Sequence, residues 1–413
     1  MRVTQNLNQL NFISAMTTLE SNLSQTQNQI ATNLSFTTPS QNPVAAGAVN
    51  NYTQALAQSQ QYDTNANSAQ GRLSIEDNSL SQVQSALQSL RDLALQANSG
   101  TQSAQNLSAI ATQATQIQST LVSLANTQDG NGEYIFGGFA TQTRPFALSA
   151  SGATYSGDQG QRQVQIAAGQ TIPDSDNGAA VFNNIRTGNG TFTATAGAGN
   201  TGGGVVGTTT VINAAAYDGK PFSIQFTATT APVTGAVTTT YNILDSTGTV
   251  VTPGAPVPGA PYTSGQAISY DGLQVTLTGQ PATGDTFSVA PSTNQSVFTT
   301  VQNLVTALQN VTTGSTASQA KLSNSINAAI NNIDQALDHT STVRADIGGR
   351  LNSITTQLSV SGAQQIQLKT SISTLQSLDY ASAITKLDEQ NTTMSAAMQA
   401  YTLTQGLSLF KFL

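Results

Sequence analysis

The sequence predicts an α+β fold: long terminal helices forming a coiled-coil-like bundle, with a β-hairpin region and an inserted β-rich domain. Three observations predict it. Both ends carry narrow apolar stripes at helical spacing. Gly, Pro, Thr and Val crowd into the middle of the chain, between about 129 and 295. Only 8% of the residues are charged, against about 25% in an ordinary soluble domain, so amides and hydroxyls must cover the helix faces. At 413 residues the chain is long enough for roughly two or three domains. Helix, then strand, then helix implies that the two ends fold together around the insertion.

Taken in order, Phe12, Met16, Leu19, Leu23, Thr26, Ile30 and Asn33 alternate steps of four and three, the seam of a coiled coil. Pro39 turns Thr38 away from the α region, so the first helix should stop before it. Asn42 then reads as an N-cap with Pro43 at the first helical position. Leu80, Val83, Leu87, Leu90, Ala94 and Ala97 continue the pattern, as do Ile110, Ala114, Ile117, Leu121 and Leu124. DGNGEYIFGGF (129–139) places a Gly/Asn turn before an aromatic run and reads as a hairpin. Strands are expected at 164–169, 221–228, 236–244, 273–279 and 285–290, with Gly/Thr and Pro/Gly linkers around 187–215 and 253–261.

After the insertion come Val301, Leu304, Leu308 and Val311, then a long run from Leu322 through Ile326, Ile333, Ala336, Ile347, Leu351 and Ile354 to Leu358. Gly348-Gly349 costs that run about 1 kcal/mol per Gly relative to Ala, leaving room for a bend. Ser361-Gly362 is a candidate break before a last stripe of Leu387, Asn391, Met394, Met398 and Tyr401. The expected domains are therefore terminal segments 1–40 and 362–413, a helical core of 41–186 and 296–361 with β-hairpins, and an inserted β-rich domain over 187–295.

Composition excludes several classes of function. Thirteen Lys+Arg against 20 Asp+Glu give a net charge of −7, with no basic cluster for nucleic acid. No Cys is present, hence no disulfide framework and no thiolate metal site. The single His339 removes every motif that needs two. No apolar stretch approaches the roughly 20 residues of a membrane helix, so no membrane insertion is expected. VTQNLNQLNFISAM is too polar for a signal-peptide core. The chain is expected to be cytosolic, or to leave by a route that reads no such signal.

Candidate chemistry is sparse. His339 next to Asp338 could suggest an acid–base pair, but neighbours on a helix do not face each other, and a surface histidine is the better reading. Asp129-Gly-Asn131-Gly-Glu133 resembles a calcium loop, yet Tyr134 stands where that loop needs its Gly. Asp174-Ser-Asp176-Asn-Gly178 is likewise read as turn residues. No catalytic residue, cofactor site or metal site is expected, and the chain is not expected to be an enzyme.

The ends look like parts of a polymer. From Val3 to Tyr62 the only charged residue is Glu20, so the first helix lacks ion-pair support and its stripe needs partner surface. The last residues, GLSLFKFL, would leave Leu409, Phe410, Phe412 and Leu413 in water in a monomer. The expected polymerisation interface is thus Phe12, Met16, Leu19, Leu23, Ile30, Leu387, Met394, Met398, Tyr401, Leu409, Phe410, Phe412 and Leu413. The alternative is that the two ends pair only with each other.

These residues also carry a resemblance. MRVTQNLNQLNF at the start, PSQNPVAA (39–46), the 129–139 segment and IGGRLNSI (347–354) resemble the bacterial flagellin family. YIFGGF with RPFAL (144–148), YSGDQGQRQVQIAAG (155–169) and AAVFNNI (179–185), and the SLFKFL close, look more like its hook–filament junction branch than its filament subunits. The likeness covers about the first 186 and last 118 residues. It implies export by the flagellar type III apparatus, helped by a cytosolic export chaperone that holds the C-terminal segment. It further implies self-assembly into a layer of the extracellular flagellum, above hook-associated protein 1 and below flagellin. One departure is the turn at Gln41-Asn42, where the family usually carries acids; capping should survive through Asn42. A filament-forming flagellin remains open, as do a surface adhesin with a ligand-binding β domain and an enzyme with a β catalytic domain.

Overall fold

The computed structural model describes residues 2–100, 102–230, 236–251, 259–311 and 314–406. Among them are six α-helices: α1 (Arg2–Thr32), α2 (Pro43–Ala97), α3 (Ala104–Ala125), α4 (Val297–Gln309), α5 (Thr316–Gln376) and α6 (Tyr380–Gly406). The chain divides into two compact units, residues 1–65 with 355–413 and residues 66–354. The α+β class and the long terminal helices are as the apolar stripes require.

In the terminal unit, α1 packs against α6. Asn33, expected in the seam, instead ends α1 in the left-handed region at φ 57°, a conformation Asn tolerates better than most residues. The chain then runs beside the end of α5, where the Ser35 N–H donates to the Gln376 carbonyl at 2.7 Å. Pro43 opens α2 as expected, and Asn42 Oδ1 accepts from the Ala45 N–H at 3.1 Å. Gln41 Oε1 accepts from the Thr37 N–H at 2.7 Å, so both amides of the Gln41-Asn42 pair serve the turn. Phe36, Ala45 and Val49 form a small buried cluster with Ile372 and Leu375 against it.

The break proposed at Ser361-Gly362 does not exist, and Gly348-Gly349 does not interrupt the helix: α5 is continuous through both. Ser361 is buried and shares a 2.8 Å hydrogen bond with Ser59 of α2, so its hydroxyl serves a neighbouring helix rather than its own backbone. Around Gly348-Gly349, buried Ile347 and Ile354 offset the small propensity cost. The break falls later, at 377–379, where Asp379 Oδ1 accepts from the Ala381 N–H at 3.1 Å and caps α6.

The core unit joins helices to β structure. Every member of the stripe from Leu80 to Ala97 is at most 2% exposed, and α3 packs on α4. The 129–139 segment is not a two-stranded hairpin. Gln128 and Tyr134 make a lone bridge, and Ile135–Gly137 is a single 3₁₀ turn whose residues are all buried. Two hairpins follow, β1 (Phe146–Ser149) with β2 (Gly152–Tyr155), and β3 (Gln163–Ala167) with β4 (Gln170–Pro173). A π-turn at Ala179–Asn183 then delivers Phe182 to an aromatic cluster with Phe136, Phe146 and Phe298. Gly152, at φ 118°, lets the first hairpin lie on α4, since a Cβ there would sit 2.6 Å from the Phe298 carbonyl.

The short pair β5 (Ile185–Arg186) and β14 (Asn294–Gln295) closes the neck of the insertion. Between them lie β6 (Phe192–Ala196), β7 (Val205–Val211), β8 (Phe222–Thr230), β9 (Val237–Asp245), β10 (Ala260–Pro261), β11 (Ala267–Tyr270), β12 (Leu273–Thr278) and β13 (Thr286–Pro291). They form an antiparallel five-stranded sheet in the order β10-β9-β8-β13-β6 and a three-stranded sheet β11-β12-β7. Alternate residues of both sheets, among them Ile224, Phe226, Phe287, Leu273 and Leu277, share one core. The 187–215 stretch is therefore not a linker: it supplies β6 and β7. Its Gly and Thr residues hide a strand pattern because the apolar positions are few. Of the 253–261 linker, residues 252–258 lie outside the described residues.

Candidate polymerisation interface

Two contacts fix the pairing of the terminal helices. Phe12 and Tyr401 stack with ring centroids 4.2 Å apart and planes 9° apart. At the other end the Tyr380 hydroxyl donates to the Ile30 carbonyl at 2.9 Å. The helices are thus antiparallel. Phe12, Met16, Leu19, Leu23 and Ile30 are half-buried along one face of α1, and Thr26 is fully buried among them. On α6 the inward positions are Ala383, Leu387, Gln390, Met394, Ala397 and Tyr401.

That register corrects part of the sequence reading. Asn391 and Met398 face outward, Met398 being 50% exposed. The eye follows the larger side chains, but Ala383, Gln390 and Ala397 keep the steps of four and three and so occupy the seam. Leu409, Phe410, Phe412 and Leu413 lie outside the described residues.

The terminal unit is apolar on its outside as well. Leu7, Leu10 and Ile13 of α1 and Ile384, Met398 and Leu403 of α6 are between 48% and 70% exposed. Of the 17 exposed large apolar residues among those described, 11 lie in this unit, which holds under a third of the chain. Of these the sequence reading names only Met398, and as a seam residue, because a strong inner stripe draws attention from a weaker second one. The signal available was the near absence of charge along α1, where Glu20 is the only charged residue from Val3 to Thr32.

Several charged side chains of the core unit meet in one cluster. Arg72 and Glu76, one helical turn apart on α2, face the turn that follows α3 and the segment after β4. Arg72 pairs with Asp129 and, at 3.1 Å, with Glu133. Arg162 donates to Asp174 at 2.8 Å. Arg350 of α5 holds Asp176 with two hydrogen bonds of 3.0 Å. The two acidic turns are therefore arginine receptors as well as turns: Asp129 Oδ1 also accepts from the N–H groups of Asn131 and Glu133. Burial pushes the Asp129 carboxyl up, but those two N–H groups and Arg72 hold it below the usual carboxylate range. His339 is not a free surface residue; half-buried, its Nε2 lies 2.9 Å from the Ala180 carbonyl.

Amides do the work that charges do in other helices. Asn324 Oδ1 accepts from the Val206 N–H at 2.7 Å, and Asn327 Nδ2 donates to the Val206 carbonyl at 2.9 Å. Asn332 receives the Gly188 N–H at 2.8 Å. Three Asn of α5 thus satisfy the backbone of β7 and of the turn before β6, groups a bare edge would leave to solvent. No group of three or more metal-ligating side chains occurs among the described residues, and none of their helices is long and apolar enough to cross a membrane.

Comparison with known proteins agrees with this architecture. The family described as the bacterial flagellin N-terminal helical region matches residues 3–141, and the bacterial flagellin C-terminal helical region matches 330–413. Flagellar hook-associated protein 3 of Salmonella typhimurium is 32% identical over 157 residues, 38% of this chain and 49% of that protein. The chain thus spans about half the length of the curated relatives it matches. The crystal structure of Xanthomonas campestris FlgL is 32% identical, with a TM-score of 0.70 over 78% of this chain and 99% of that one. The flagellar junction protein FlgL of Legionella pneumophila gives a TM-score of 0.71 at 28% identity, over 80% of this chain and all of that one. With its N- and C-terminal regions and its fold matched, the chain belongs to the FlgL, or hook-associated protein 3, family of flagellin-like proteins.

Proposed function

We propose that the protein is a structural subunit of the bacterial flagellum that polymerises at the hook–filament junction and offers a surface on which flagellin adds. The observation that carries this reading is the terminal unit. Its helices bury one apolar stripe against each other and keep a second exposed, as a subunit must whose neighbours complete it. In this reading the terminal segments form the inner tube and the inserted β domain faces outward. Its partners are further copies of itself, hook-associated protein 1 below and flagellin above, after chaperone-assisted export by the flagellar type III route.

The test is deletion of the gene, electron microscopy of the cells and an assay of flagellin in the medium. Hooks without filaments, with flagellin lost to the medium, are the expected result. Normal filaments overturn the reading. Bare hooks with no flagellin in the medium make the protein a filament subunit instead.

A further inference from the structure

The charged cluster of the core unit does not balance. Five acids meet there: Glu76 of α2, Asp129 and Glu133 of the turn after α3, and Asp174 and Asp176 of the segment after β4. Three arginines answer them, Arg72 of α2, Arg162 before β3 and Arg350 of α5. Each arginine is engaged elsewhere than Glu76. Arg72 serves Asp129 and Glu133 and lies 3.5 Å from Asp174, Arg162 serves Asp174, and Arg350 is bidentate on Asp176.

Glu76 itself is fully buried. Its Oε1 accepts from the Asp176 N–H at 3.1 Å, and its Oε2 meets no donor among the described residues. An ionised carboxylate so placed would lack the donors it had in water and would stand beside a second negative charge. Burial first, and then the charge of Asp176, push the Glu76 carboxyl well above the ordinary carboxylate range. The Asp176 N–H, Arg350 and Arg72 pull the other way without prevailing.

We infer that Glu76 is a proton-held latch of the core unit. With its proton on, the 174–178 segment closes onto α2 and α5. With the proton off, a buried carboxylate with a single donor stands in the field of the Asp176 charge, and the segment is released. What it releases matters, because the π-turn at Ala179–Asn183 follows directly and carries Phe182 into the aromatic cluster. Opening the latch therefore loosens the packing between the first hairpin, α4 and the π-turn.

The sign follows from linkage. A carboxyl that holds its proton more tightly when folded gives its full stabilisation in acid, where folded and opened forms are both protonated. That contribution is lost as pH rises from the ordinary Glu value to the raised one, and above it no further change occurs. Within the window one proton is released on opening, so the opening constant grows about tenfold per pH unit.

The test uses the full chain and its Glu76→Gln variant, which is neutral at every pH and keeps an acceptor for the Asp176 N–H. Hydrogen exchange of that N–H, corrected for intrinsic rate, is read from about pH 5 to about pH 9, together with the infrared band of protonated carboxyl groups. The wild type should show the tenfold slope, with a carboxylic-acid band that persists along it and disappears where the slope levels off. Glu76→Gln should lack both. A variant that keeps the wild-type slope, or a wild type with no carboxylic-acid band beyond that of the variant, overturns the inference. Should Glu76→Gln fail to fold, the wild type alone decides: loss of the band while the slope still runs overturns it, and loss of the band at the pH where the slope levels off upholds it.

Discussion

Phe12 and Tyr401 lie face to face, 4.2 Å between centroids, although 389 positions separate them in the sequence. The stack joins the start of α1 to the last part of α6 that is described, so the two ends hold each other before any neighbour does. An offset or stacked aromatic pair contributes about 0.5–1.5 kcal/mol beyond its burial. In a double-mutant cycle with Phe12→Ala and Tyr401→Ala, a coupling of about 1 kcal/mol in thermal unfolding of the terminal helices is expected. Polymerisation should weaken in both single variants, read by sedimentation of assembled protein.

Arg350→Ala should destabilise the core unit by about 3 kcal/mol, because it strips Asp176 of both its 3.0 Å hydrogen bonds. Arg350→Lys should recover less than half of this, since one ammonium cannot reproduce a bidentate grip. Denaturant midpoints of the three proteins check both statements.

Asp129 responds to pH in the sense opposite to Glu76. Its carboxyl is held below the usual range in the folded chain, so its stabilisation is present above the unfolded value and is lost as pH falls through the folded one. The turn at 129–133 should therefore loosen below about pH 4. Asp129→Asn should flatten that acid limb, read by exchange of the Glu133 N–H.

Asn324→Ala and Asn327→Ala should each cost about 1–2 kcal/mol and together expose the edge of β7. The diagnostic is faster hydrogen exchange at Val206 with the α5 amides unchanged. Asn327→Asp should not rescue it fully, as a carboxylate accepts but cannot donate to the Val206 carbonyl; Asn324→Asp keeps an acceptor for the Val206 N–H but loses the donation to the Gly204 carbonyl.

Gly152→Ala should cost about 1–3 kcal/mol, since φ 118° disfavours any side chain and the new Cβ would press on the Phe298 backbone. Near-ultraviolet circular dichroism, which reports the packing of Phe146 and Tyr155, should change before the helical signal does.

Much of this architecture is legible from residue spacing. The seams from Leu80 to Ala97 and along α5 are sequence patterns whose buried members match position by position, because coiled-coil packing repeats and the repeat is visible. Strands β8, β9, β12 and β13 were readable for the same reason at period two. What escaped was non-repeating. β6 and β7 lie in Gly/Thr-rich sequence whose strand character depends on partners distant in the chain. Met398 lost its seam position to Ala397 because register along α6 is set by the helix it meets. The acidic turns looked like turns, which they are; that arginines from α2 and α5 converge on them could be seen only once the chain was folded.

The scarcity of charge in the terminal unit has a colloidal consequence. Residues 1–65 and 355–413 carry four basic and five acidic side chains, a net of −1, so nearly all of the chain's −7 belongs to the rest. When identical copies crowd together, every fixed charge is repeated at close spacing and like meets like. A surface of amides and hydroxyls accumulates no such field. Its association should be almost indifferent to ionic strength, and a structure built from it can stand in fresh water or brine without being retuned.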